Sequence, residues 1–315
     1  MPAPTQRAVS DPPARRTWLA AGLATALALL LGGCSIRGLA INALADSLAK
    51  SGDVFASDED PELVREATPF ALKTIEALLA EKPSHRGLLL SACRGFAGYA
   101  YAFVELDALE LEEVDYEAAE RQTERALKLY LRARDYCVRS LAEIDPGIRR
   151  RLQVEPEAAV AGLGEEEVPL LFWTAAAWGS ALGLALDRPD LTVDLPAVEA
   201  LIERAAALDE SYGDGAVHEA LMSLAALPPA MGGSPERARH HFERAVELSG
   251  GRSASPYVGF AVKVSIQQQD REEFQRLLET ALAVDPDAEP ANRLQNILSQ
   301  RRARWLLERV DELFL

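Results

Sequence analysis

Val168 to Leu186, VPLLFWTAAAWGSALGLAL, is a run without one charged side chain in a sequence that is otherwise 26% charged. A helix that is apolar around its whole circumference belongs at the centre of a helical protein or inside a bilayer. The run is just long enough to cross a hydrocarbon core about 30 Å thick. Its surroundings favour the first location. Glu165-Glu166-Glu167 and Pro169 stand at its start, Trp173 and Trp178 lie toward its middle, and no Lys/Arg cluster flanks it. A buried central helix is therefore the expectation, with a membrane span as the alternative.

The rest of the chain reads as helices around that centre. Asp60-Pro61 is an N-cap followed by proline at the first helical position, and apolar residues then recur at helical spacing from Leu63 to Leu78. Lys82-Pro83 stops that helix and Ser84 is expected to cap the next. The stretch Leu88–Leu106 is almost wholly apolar, broken by Arg94 and Glu105. A long helix is expected over Asp115–Ile144, a short one over Ile148–Val154, and further helices over Pro196–Leu208, from Gly215 to about Ala226, and from Pro235. Asp270 with Glu273 forms a capping-box pattern, and Asn292–Phe314 reads as one last long helix. Period-two alternation is absent throughout, so the fold class is all-α.

Five helix ends share one form: ALLAEKP to Pro83, SLAEIDP to Pro146, AALDE to Glu210, AVELSG to Gly250 and ALAVDP to Pro286. Alanine, an apolar residue, two more and then Asp-Pro is how the second helix of a tetratricopeptide (TPR) unit closes. The last two spacings slightly exceed the TPR period of about 34 residues. The first two fall slightly short of twice it, so those units are enlarged and degenerate. The expectation is a TPR-like solenoid of helical hairpins, in which neighbours jointly bury faces that no pair can bury alone. A helical bundle with coincidental helix ends is the alternative.

The first 33 residues read as an export signal: Arg7, Arg15 and Arg16, an apolar stretch Trp18–Leu31, then Leu31-Gly32-Gly33-Cys34. This layout makes Cys34 a lipid-attachment site and residues 34–315 the mature helical domain, with 34–60 as tether and short helix (Ile36–Lys50). An unlipidated signal or an uncleaved anchor is the alternative. The formal net charge of −16 disfavours nucleic acid and anionic lipid as partners. Cys93 and Cys137 lie in strongly helical stretches and read as buried free thiols, although an exported protein could bond them.

The residues offer little chemistry. Adjacent His240 and His241 point to different sides of their helix, and neither they nor His85 and His218 acquire the partners of a metal site. Glu165-Glu166-Glu167 suits a helix N-terminus, and Gly232-Gly233 and Gly250-Gly251 lack the context of a phosphate loop. No enzyme, metal or cofactor is expected. Tyr99, Tyr101, Phe103, Trp173 and Trp178 are candidate cavity-lining residues for a lipophilic ligand, or else ordinary core. Arg301, Arg302 and Arg304 on the last helix are candidate docking residues, or else partners of the acidic surface.

The blocks FASDEDPELVREATPFALK from Phe55, KLYLRARDYCVRSL from Lys128, EVPLLFWTAAAWGSAL from Glu167, ERARHHFERAVELSGGRSASPYVGF from Glu236, and DREEFQRLLETALAVDPDAEPANRLQNILSQRRARWLLERVDELF from Asp270 together resemble one family. It is the T-component lipoproteins of tripartite ATP-independent periplasmic (TRAP) transporters. The resemblance covers nearly all of the chain after Cys34. It implies a TPR-like periplasmic lipoprotein that forms a homotrimer, binds the solute-binding subunit of a TRAP system, and holds a hydrophobic cavity as a ligand path. It offers no catalytic residues. Ser35 does not resemble an inner-membrane retention signal, which favours the outer membrane. A ligand carrier for a lipid or organic acid, and a general envelope-assembly scaffold unrelated to transport, stand beside that reading.

Overall fold

The structure, a computed structural model, describes Ser47 and residues 52–314. The expected signal, Cys34 and, Ser47 apart, the helix over 36–50 lie outside the described residues. Helices alone make up the regular structure of the described chain. In order they are α1 (Gly52–Ala56), α2 (Pro61–Glu81), α3 (Arg86–Leu111), α4 (Tyr116–Ala142), α5 (Ile148–Val154), α6 (Pro156–Val160) and α7 (Val168–Gly183). Then follow α8 (Pro189–Thr192), α9 (Leu195–Leu208), α10 (Ala216–Ala225), α11 (Pro235–Ser249), α12 (Ser255–Phe260), α13 (Arg271–Ala283), α14 (Arg293–Leu307) and α15 (Val310–Leu313).

Caps explain most of the helix starts. The Asp60 carboxylate accepts from the N–H groups of Glu62 and Leu63, Asp115 from Ala118 and Ser234 from Arg237. Two ends differ from expectation. His85, not Ser84, caps α3, with Nδ1 accepting from Leu88 N–H at 3.2 Å, while the Ser84 hydroxyl reaches across to Glu143. At α13 Asp270 accepts from Glu273 N–H, but the Glu273 side chain does not complete the box. It is buried and turned to Arg239 and Ser265, where an ion pair and a hydroxyl compensate its desolvation.

The uncharged run folds as α7, and it is central. This helix packs on α3, α4 and α9, and Leu170, Leu171, Thr174, Ala175, Ala177, Trp178, Ala181 and Leu182 are buried. Its 16 residues span roughly 24 Å, less than the ~30 Å hydrocarbon core. Among the described residues α3 is the helix with the length and composition of a membrane span, and just over half of its most apolar window is buried inside the protein. Buried in these helices is apolar area worth roughly 25 cal/mol per Å², which accounts for their pairing without a bilayer.

Cys93 on α3 and Cys137 on α4 are joined by a disulfide, with Cα atoms 5.4 Å apart. This corrects the reading of both as free thiols. Burial was anticipated correctly, since both side chains are 0% exposed. What the helical context hid is that the two helices lie side by side, so two buried cysteines meet across the contact.

Successive helices pack as neighbours, α2 on α3, α3 on α4, α10 on α11, α13 on α14. Gly215 permits one close approach. Its φ is +96°, and a Cβ there would come within 2.8 Å of the Ala245 carbonyl on α11. The expected last helix breaks after Leu307 and resumes as α15. The chain then closes on itself. Helix α14 returns to α1 and α2, with Leu298 and Leu294 packed among Val64, Ala102, Phe103, Phe55 and Tyr99. Arg293 donates to the Ser57 carbonyl at 3.1 Å, and Arg301 reaches Glu62 and Glu110 at 3.4 and 3.3 Å.

Candidate functional site

Helices α3, α10 and α14 bring polar side chains toward one another, and α3 and α7 each keep a partly accessible stripe. On α3, Arg94, Gly98, Tyr101 and Glu105 fall at spacings of three and four and share one face. All four keep partial solvent access, and a Cβ built on Gly98 would meet nothing within 4 Å. On α7 the matching stripe is Trp173, Ala176, Ser180 and Gly183, again partly accessible, with open space at Gly183. Lys263, on the segment after α12, is exposed to solvent, and desolvation by the protein around it lowers its pKa.

The polar side chains converge on one place. Tyr130 donates to the Glu105 carboxylate, Ser255 donates to that of Glu219, and the Arg302 guanidinium lies against the Tyr101 hydroxyl. Lys263 and Tyr101 both feel Glu105 and Arg302, and Tyr101 also feels Glu219. Burial pushes the Tyr101 and Tyr130 hydroxyls above their ordinary range, with the Glu105 charge adding to both. Burial also raises Glu219 to about 7, against the opposing hydrogen bond from Ser255.

Two π-helical turns present this cluster. Within α3, Tyr101–Glu105 is π-helical, with Leu106 N–H donating to the Tyr101 carbonyl. After α12, Ala261–Ser265 is π-helical, with Ile266 N–H donating to Ala261. Tyr101 and Glu105 come from the first and Lys263 from the second. A π turn displaces the ladder by one residue, a distortion found mostly at functional sites. Arg65 braces the first one. It donates to the Phe103 carbonyl at 3.2 Å, pairs with Asp107 at 2.6 Å, and stands over the Phe103 ring.

The five aromatic candidates are divided between this polar cluster and packed interfaces. Tyr101 enters the polar cluster. Trp173 lies on the same stripe of α7 as Ser180, against Arg94, Phe172 and, through Phe172, Tyr212. Trp178, 5% exposed, is turned to Arg134 on α4 and Asp194. Tyr99 and Phe103 pack together at the seam with α1, α2 and α14. The indole N–H groups of Trp173 and Trp178 are buried, that of Trp173 toward the Tyr212 hydroxyl and that of Trp178 toward the Asp194 carboxylate.

The arrangement brings carboxylates, hydroxyls and a guanidinium together between helices from distant parts of the chain. A family model for the TRAP transporter T-component matches residues 57–314. The chain belongs to this family. It is also similar to an uncharacterized protein of Treponema pallidum (strain Nichols), 34% identical over an alignment of 311 positions that covers 93% of this chain and 96% of the relative. Membership makes the chain an accessory component of a transport system and a periplasmic or envelope-associated protein; it is not an enzyme family.

In this T-component the three arginines of α14 go to different places. Arg301 bridges the seam, Arg302 meets the Tyr101 hydroxyl, and Arg304 is exposed. The histidines sort differently too. His218 and His241 face each other at 3.0 Å between α10 and α11, and His218 also contacts Glu210, which Arg244 pairs. Burial and the neighbouring His218 bring His241 down to about 4. Among the described residues no group of three or more histidine, cysteine or acidic ligands could hold a metal. Glu105, Tyr130, Glu219, Ser255 and Lys263 were not singled out as site residues from the sequence. Their signal is a lone charge inside an apolar run, visible for Glu105 within Leu88–Leu106 and for Lys263 within Gly259-Phe260-Ala261-Val262-Lys263-Val264.

Proposed function

We propose that the chain is a lipid-anchored periplasmic accessory protein that binds the solute-binding subunit of its TRAP system. In this reading residues 1–33 are removed, Cys34 carries lipid in the outer membrane, and 34–315 is the mature body. The helix pairs are TPR-like units, enlarged in the first half, whose array closes instead of running open. Membership of the T-component family over 57–314 is the observation that carries the reading. A homotrimer and an organic ligand held among the helices complete it. The polar cluster of Tyr101, Glu105, Glu219 and Arg302 supports the ligand role, because groups so desolvated cost stability unless they serve a further purpose.

Co-purification of the full-length protein with the solute-binding subunit encoded beside it tests this. A complex that survives dilution to about micromolar concentration, equivalent to roughly 8 kcal/mol of binding, is expected. Co-purification with envelope-assembly machinery instead, and no complex with the solute-binding subunit, would favour the general scaffold.

A further inference from the structure

Helix α4 carries a basic groove on an acidic protein. Lys128, Arg132 and Arg139 follow one another at spacings of four and seven and share one face of the helix, and Arg149 of α5 joins them. These four cations line an open groove of about 530 Å³. The acid among the lining residues is Asp135, whose carboxylate is taken by Arg134 at 2.9 Å, with Arg149 at 4.0 Å. The positive surplus stands out in a chain of formal net charge −16. Leu131 and Tyr136 supply apolar surface between the charges. Two of the cations are held in place. Arg132 pairs with Glu76 of α2 and stands over the Phe96 ring, 4.6 Å from its centre. Arg139 donates to the Pro83 carbonyl at 3.0 Å and stands over the Tyr136 ring. Neither guanidinium exhausts its five N–H donors on these partners. Lys128 and Arg149 reach into solvent, their side chains 71% and 57% exposed.

We propose that this groove is the surface that takes hold of the solute-binding subunit, through an acidic segment of that partner in which carboxylates flank an apolar side chain. Planar guanidinium forks suit carboxylates, and Leu131 and Tyr136 meet the apolar part. Forks already fixed by Glu76 and Pro83 lose less freedom on binding than free surface side chains do. A membrane fits the same charges less well. A groove is concave where a bilayer surface is flat, and the negative charge of the whole chain opposes a sheet of anionic lipid. A segment inside the groove is governed by the charges beside it, because those more than about 8 Å away are largely screened at physiological ionic strength.

The inference rests on the docking reading and names the surface that serves it. Capture of the solute-binding subunit by the full-length protein tests it, with the double variant Lys128→Glu/Arg149→Glu, the conservative Lys128→Arg/Arg149→Lys, and Arg188→Glu as an exposed reversal outside the groove. Circular dichroism and melting confirm that each variant is folded. K128E/R149E should lose about tenfold or more in affinity, while K128R/R149K and R188E retain most of it. A short peptide of glutamates around a central phenylalanine should displace the partner from the wild type, and its glutamine counterpart should not. Unchanged capture by K128E/R149E, an equal loss in R188E, or equal displacement by the glutamine peptide would each overturn the groove. Displacement by short-chain phosphatidylglycerol but not by the glutamate peptide would make the groove a membrane contact and overturn it as well. The two readings fail distinguishably. No capture by the wild type overturns the docking reading and the groove with it, whereas capture indifferent to the groove variants overturns the groove alone.

Discussion

Glu219 is the residue whose environment makes the most distinctive demand. Its pKa lies at about 7, above the ordinary carboxylate value of 4.5, so between those pH values the folded state binds more protons than the unfolded chain. Stability from this group is complete below pH 4.5 and is lost as pH rises through about 7. Replacing it by glutamine removes the titration. The stability gap between E219Q and wild type, from denaturant melts, should shift in favour of E219Q between pH 5 and 8 by on the order of 2 kcal/mol. A gap independent of pH would contradict the placement. His241 moves the other way, its stability lost as pH falls below 6.5 toward about 4, which is why the comparison needs the variant and not the wild-type profile alone. Trp178 makes the plainer demand. At 5% exposure it is core, and Trp178→Ala should cost about 3–5 kcal/mol by chemical denaturation; a loss under about 1 kcal/mol would mean that it faces open space. The sequence placed Trp178 and Trp173 in one apolar run but could not separate their roles. Five residues apart on a helix, they point about 140° apart, so one packs on α4 while the other lies on the stripe toward Arg94.

At the scale of elements, the helix starts were legible wherever a side chain does the capping locally, as at Asp60, Asp115, Ser234 and Asp270. What could not be read is whatever depends on a second helix. Glu273 leaves its capping box because Arg239 is there to pair it, and Cys93 finds Cys137 because α3 and α4 are adjacent. The π turns escaped for a different reason. A pattern with period 3.6 assigns faces only while the ladder stays regular, and one inserted residue re-aims the side chains. The disulfide closes a loop of 44 residues. In the chain-entropy model that stabilises by about 4 kcal/mol, and the double variant Cys93→Ala/Cys137→Ala should lose a value near this in a urea titration. A loss well under 1 kcal/mol, with Cys93 and Cys137 reacting as free thiols in the denatured, unreduced wild type, would contradict the link.

At the scale of the molecule, the all-helical class and the central position of α7 followed from periodicity and from one uncharged run. Closure did not. A repeat array read from sequence contacts only its neighbours, whereas Arg301 joins Glu62 and Glu110, and Arg309 lies 3.5 Å from Glu113. Such contacts between distant parts of the chain leave no periodic signature, yet they join the last helices to the first. The polar cluster was hidden for the same reason: Tyr101, Glu219 and Arg302 come together only after the chain has closed. The functional account joins these two properties, a body that docks on a transporter's solute-binding subunit and an interior that can hold a ligand. Its central claim is the docking. The direct measurement is sedimentation velocity of the purified full-length protein mixed with the solute-binding subunit encoded beside it. The account predicts a single faster-sedimenting complex at about micromolar concentration; two independent boundaries at their separate rates, at concentrations tens of times higher, would contradict it.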